Sequence, residues 1–298
     1  MDKKAYRPRL IDAQIQDLLG IFGALCIEGP KWCGKTWTSL YHANSSVFIG
    51  DPAGNFQNRR LAQVDPSLVL NGEHPRLIDE WQEFPPLWDA VRFQVDQGQG
   101  KGQFILTGSA TPQHKGILHS GAGRIARLQM RPMSLFESGD SSGVVSLQNI
   151  FEKKLAPVAT GEIRLEFLID CILRGGWPES IGMDVAKASK VPLLYLQAII
   201  EDDAHRLDGI KRDPLKLSML LRSLARNEST TASIKKLCSD IQTVDNETID
   251  DRTVSSYLDI LSRLFLIDNQ RPFSTNVRSA SRIKQAEKRH LVDPSLSV

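Results

Sequence analysis

Cysteine is scarce in this 298-residue chain, limited to Cys26, Cys33, Cys171 and Cys238. No two form a CxxC pair and no histidine cluster accompanies them, so they read as reduced, intracellular and not metal-binding. An excess of one charge is also missing. The net charge is only +2, which rules out bulk attraction to nucleic acid and leaves room only for a local patch. No run approaches the roughly 18 apolar residues of a membrane span. The charged start, Asp2 to Arg9, is followed by no long apolar stretch with a cleavage-like end, so no signal peptide is expected and the expected location is cytoplasmic. There is no internal repeat and no low-complexity tract. What remains is 41% hydrophobic and 24% charged, as in an ordinary globular protein, with a length that suggests two domains.

The most informative segment is Gly29-Pro30-Lys31-Trp32-Cys33-Gly34-Lys35-Thr36. It follows the apolar run Ala24 to Ile27 and opens a helix-like stretch to His42. A glycine-bounded turn between strand and helix aims backbone N–H groups at one point, where a polyphosphate can sit on a helix N-terminus. In this pattern Lys35 reaches the β- and γ-phosphates and the Thr36 hydroxyl ligates Mg²⁺. A thiol beside a helix N-terminus can have a lowered pKa, so Cys33 is either a redox control point or a space-filling residue.

Two further segments supply what such a loop needs. Arg76-Leu77-Ile78-Asp79-Glu80 is a short apolar run ending in two acids. Asp79 would hold Mg²⁺ through water, and Glu80 would act as general base on the attacking water. Gln103 to Ser109 is a second buried-strand pattern, and Thr107 or Ser109 would sense the γ-phosphate or orient the water. The spacings leave room for helical crossovers, so residues 1–140 read as an α/β P-loop domain with a parallel sheet and flanking helices. Helices are expected over residues 8–22, 35–42 and 57–64, and from Pro85-Pro86 through Val95. Arg124, Arg127 and Arg131 bring cations soon after the third motif. Either they lie solvated on an edge strand or one is an arginine finger, acting in cis or in trans, and Arg124, on a Gly-rich loop, is the first candidate.

Residues 141–160 read as a linker. Beyond them residues 161–275 turn helical, with amphipathic segments at 166–173, 191–207 and 214–226. A helix from Thr231 to Ile241, a second capped by Asp251, and a small hairpin across Asp268-Asn269-Gln270 outline a winged-helix-like region. Its exposed second helix would show Arg252, Ser255, Ser256 and Asp259, which is polar but hardly basic. DNA reading and protein packing both stay open. From Arg271 on there are six basic residues against two acidic ones. Residues 276–298 are thus a basic tail suited to phosphate-backbone contact, or simply a solvated segment.

Taken together, the phosphate loop, Arg76 to Pro85, Phe104 to Ala110, Gly123 to Ser138 and Gly175 to Glu179 resemble one group over essentially the whole chain. It is the predicted prokaryotic ATPases of the AAA+ superfamily that carry a C-terminal domain of unknown function. The resemblance implies an AAA-type ATPase core followed by a helical, winged-helix-like region, with ATP rather than GTP as nucleotide. No guanine-reading NKxD motif stands in the expected place. Carried over by position, Lys35 and Thr36 bind nucleotide, Asp79 and Glu80 serve Mg²⁺ and water, Thr107 to Ser109 form the sensor, and Arg124 is the arginine of a Gly-Arg pair. Members of the group often continue past a segment like His290 to Pro294 into a nuclease-like fold, so the end at Val298 reads as truncation and no nuclease activity is expected.

The expected function is Mg²⁺-dependent ATP hydrolysis driving a conformational cycle. A nucleotide-gated switch or interaction module with little turnover is the alternative. DNA and a second copy of the chain are left open as partners.

Overall fold

The computed structural model describes residues 5–98, 100–110, 117–154, 157–159, 161–207, 209–273 and 285–298. The first half alternates helix and strand: α1 (Asp12–Ile21), β1 (Ala24–Glu28), α2 (Lys35–His42), β2 (Ser45–Phe48), α3 (Ala53–Val64), α4 (Ser67–Leu70), β3 (Arg76–Asp79), α5 (Leu87–Gln97), β4 (Phe104–Gly108) and β5 (Ile125–Gln129). The strands form one parallel sheet in the order β2-β3-β4-β1-β5. β1 and β4 are buried along their whole length, which is why they read as unbroken apolar runs rather than alternating ones. Ala24 and Cys26 pack with Ile78, Phe104 and Leu106 toward α5, while Leu25 and Ile27 pack with Leu77 and Ile105 toward Ile15 of α1. Fully burying each such Leu or Ile contributes about 1.5–3 kcal/mol.

The strand order has one consequence for function. β4 lies between β1 and β3. The C-terminal ends of these three strands therefore open side by side, at the edge where parallel α/β sheets bind ligands.

The second half is helical: α6 (Leu147–Phe151), α7 (Leu165–Arg174), α8 (Val185–Ala188), α9 (Lys190–Ala198), a π-helical turn (Ile199–Asp203), α10 (Ala204–Arg206), α11 (Pro214–Arg226), α12 (Ile234–Asp245) and α13 (Asp251–Arg263). Tyr195, Leu217, Leu220, Leu237, Ile241, Val254, Leu261 and Leu266 belong to one core, whereas α7 buries none of its residues. α12 begins at Ile234, three residues later than expected, with the Ser233 hydroxyl as its cap. Asp250, not Asp251, caps α13 by accepting from the Arg252 and Thr253 amides. A cap needs extended backbone, and Asp250 has it (φ −85°, ψ 157°).

The hairpin expected across Asp268 to Gln270 does not form. Ile267 and Gln270 pair antiparallel with Leu291 and Lys288 instead. The far end of the basic tail is thereby folded into the helical region, where Arg289 Nε donates to the Ala232 carbonyl at 3.1 Å. Arg278, Arg282 and Lys284 lie outside the described residues. The buried Asp293 accepts from the Gly176 amide at 2.8 Å, and the Trp177 indole donates to Ser295 Oγ at 3.1 Å. The Met133 amide donates to the Gly176 carbonyl at 2.6 Å. The Met133, Gly175-Gly176-Trp177 and His290-to-Pro294 segments thus meet at one junction between the two halves. Among the described residues, no helix is long and apolar enough to cross a membrane.

Candidate functional site

The phosphate loop leaves β1 at Gly29. A Cβ there would lie 2.2 Å from the Met130 carbonyl oxygen, so only glycine fits. At the other end Gly34 has φ +102°, a conformation that costs glycine little. Lys35 follows as the first residue of α2 and is 5% exposed. Its ammonium donates to the Gly29 and Pro30 carbonyls at 3.0 and 2.8 Å.

The residues expected to act with Lys35 come together. Thr36 Oγ1 donates to Asp79 Oδ1 at 2.8 Å, and Thr107 Oγ1 donates to the same oxygen at 2.7 Å. Asp79 is 8% exposed, and burial pushes its carboxyl above the ordinary range, against the lowering pull of Thr107 and Thr36. Glu80 follows with left-handed backbone (φ 55°, ψ 50°), a conformation that is uncommon outside glycine and clusters at functional sites. Its amide donates to Thr107 Oγ1 at 3.0 Å. Its carboxylate Oε2 accepts from Ser109 Oγ at 2.9 Å and from the Gln82 side-chain amide. Gln82 also donates to Ser109 at 3.2 Å.

The donor set fits a small hard cation. The Thr36 hydroxyl and the buried Asp79 carboxylate already converge. Among the described residues no group of three or more His, Cys, Asp or Glu forms a metal cage.

Arg124 does not lie at the phosphate loop of its own chain, which argues against a finger acting in cis. Its carbonyl accepts from the Ala24 amide at the start of β1, whereas the phosphate loop leaves the end of that strand. A five-residue strand separates the two by roughly 16 Å. Its side chain pairs with Asp96 at 2.7 Å. Arg127 pairs with Glu28 at 2.7 Å and lies over the Trp88 ring, and Arg131 pairs with Asp268. None of the three arginines reaches the phosphate loop of its own chain. Cys33 is fully buried with Sγ toward the Met130 carbonyl, and burial raises its pKa despite nearby Lys35 and Arg9. It is a packing residue, not an activated thiol.

Two contributors escape sequence reasoning. Gln82 is one. Arg9, 8% exposed, is the other: it donates to the Cys33 carbonyl at 2.8 Å, to the Arg131 carbonyl at 2.7 Å and to Glu137 at 2.9 Å. Burial works to raise the Glu137 pKa, but the Ser134 and Leu10 amides and Arg9 outweigh it and hold the group below its usual range. Arg9 therefore ties the phosphate loop to the segment after β5.

Residues 22–138 match the AAA domain family, and residues 165–298 match a domain of unknown function. Uncharacterised proteins of Mycobacterium bovis and Mycobacterium tuberculosis are each 32% identical over 119 residues. That match spans 39% of this chain and 26% of the length of each relative. The chain also resembles the Walker-type ATPase of Pyrococcus abyssi, with a TM-score of 0.54 and 13% identity, over 99% of this chain and 95% of that one. At that identity the likeness shows a fold. The first half of the chain has the parallel-sheet fold of P-loop NTPases, and the part after it is helical.

Proposed function

We propose that this protein binds ATP at residues 29–36 with Mg²⁺ and hydrolyses it. The observation that carries the reading is the convergence of Thr36 and Thr107 on one oxygen of Asp79, with Glu80 the next residue along. Mg²⁺ would be held by Thr36 and, through water, by Asp79, and it would neutralise charge on the phosphates. Lys35 would leave the Gly29 and Pro30 carbonyls for the phosphate oxygens. Glu80 would polarise the attacking water while Thr107 and Ser109 fix its position. Hydrolysis would then drive movement of the helical region.

A second reading, a switch that holds nucleotide with little turnover, is favoured by one observation. The Glu80 carboxylate is already engaged by Ser109 and Gln82, which opposes its use as a base. DNA binding receives weaker support. α11 to α13 and the pairing of residues 267–270 with 288–291 agree with a winged-helix-like region. The exposed face of α13, however, offers Arg252 against Asp251 and Asp259.

Phosphate release from Mg-ATP tests the reading. Wild type should turn over and Lys35→Ala should not. Equal rates in the two would remove residues 29–36 from the reaction.

A further inference from the structure

Two residues of the phosphate loop reach into the helical region. Lys31 Nζ donates to Asp203 Oδ1 at 2.6 Å. The Trp32 ring, 59% exposed, stacks on Tyr195 at 6.4 Å between centroids. Tyr195 packs in turn on Trp177, at 4.8 Å, and the next residue, Pro178, lies 3.4 Å from where a Cβ on Gly34 would stand.

Two features set these contacts apart from ordinary packing. Asp203 ends the π-helical turn Ile199–Asp203, and such turns are rare and recur at functional sites. The Tyr195 hydroxyl is buried facing the backbone of Lys31, and among the described residues no partner meets it in full hydrogen-bond geometry, which is an expensive arrangement for a polar group. The helical region therefore holds a carboxylate and a buried hydroxyl against the same two loop residues.

We propose that Asp203 and Tyr195 form a latch on the phosphate loop, and that a nucleoside triphosphate opens it. The proposal rests on the nucleotide-binding reading above. Asp203 neutralises one of the two loop lysines and presents a negative charge beside the loop. A triphosphate carries several negative charges and competes for Lys31. The Lys31 side chain is 47% exposed, and exposed ion pairs are weak, so the latch is readily displaced by a ligand that prefers the open state. Release of Lys31 frees Asp203 and unstacks Trp32 from Tyr195. Nucleotide occupancy is thereby passed to the helical region.

The test is equilibrium titration of the full chain with Mg-ATP, in wild type, Asp203→Asn, Lys31→Gln and the double variant, with tryptophan fluorescence followed in parallel. Asp203→Asn should bind about 1.5- to fivefold more tightly, the range spanned by an exposed ion pair. The gain should vanish in the Lys31→Gln background. The nucleotide-induced fluorescence change should be lost in Trp32→Phe. Melting curves check that each variant folds, and Asp203→Ser replaces Asp203→Asn if that one does not. Binding by wild type with unchanged or weaker affinity in Asp203→Asn would overturn the latch and leave the nucleotide site intact. Absence of binding in every variant would overturn the nucleotide reading, and the latch with it.

Discussion

Thr107 donates to Asp79 at 2.7 Å across 28 residues of chain, and accepts the Glu80 amide at 3.0 Å. One hydroxyl thus fixes both acids. Its own position is set because Ile78 pairs with Leu106, the residue before it, in the β3–β4 register. Thr107→Val keeps the shape and removes the donor. Turnover at saturating ATP should fall about 10- to 100-fold, as for other groups that orient metal ligands, with little change in Kd. A loss in Kd equal to the loss in kcat would instead give Thr107 a role in binding alone.

Glu80 decides between turnover and switch. A positioned general base contributes about 10²–10⁴-fold. Glu80→Gln should lose that much in kcat while ATP affinity stays within a few-fold. If the variant turns over at the wild-type rate, Glu80 is not the base; a wild type that binds ATP without appreciable turnover would move the switch reading forward.

Arg9 and Glu137 form an ion pair with side chains 5% and 6% exposed. Removing one partner leaves an uncompensated buried charge, which costs about 3–5 kcal/mol. Arg9→Met should therefore destabilise strongly in urea unfolding. Arg9→Met combined with Glu137→Gln should cost less than the two single losses added, as for residues in contact. Strict additivity would mean the pair does not act as a unit.

Asp79 carries a pH signature. Burial raises its folded-state pKa above the ordinary value of 3.8. A raised pKa means the folded state binds the proton more tightly, so stability is greatest below the unfolded value and falls as pH rises through the folded one. Asp79→Asn avoids the buried charge. It should melt higher than wild type at pH 7 and show little difference near pH 3, while losing hydrolysis. A variant that melts lower at pH 7 would contradict this account of the site.

Arg124 sits at the opposite edge of the sheet and is paired with Asp96. Arg124→Ala in dilute protein should change turnover less than twofold. A loss that grows with protein concentration would assign Arg124 to the site of a neighbouring copy.

The phosphate loop and the acids of β3 were legible because each is a short run with fixed chemistry at a strand end. Thr107 and Ser109 followed from the same logic. Arg9 was not legible: it is one cation in a charged stretch, and its partners Cys33 and Glu137 lie 24 and 128 residues away. Gln82 was hidden by the left-handed turn at Glu80, which brings residue 82 back onto the carboxylate.

The distance of Arg124 from the phosphate loop of its own chain has a topological cause. In a parallel sheet, a residue just before a strand lies at the edge opposite the ligand, however flexible its loop. The hairpin at Asp268 failed for a related reason. The apolar residues flanking it signalled pairing but not the partner, and Leu291 lies beyond the intervening segment.

The central claim is that Lys35 and its loop bind ATP. Thermal melting with and without Mg-ATP, in wild type and Lys35→Ala, tests it most directly. A ligand at about 100 times its Kd adds about 2.7 kcal/mol, which is several degrees in a domain of this size. A shift in wild type that disappears in Lys35→Ala is the predicted result. Equal shifts in both proteins, or no shift in either, would contradict it.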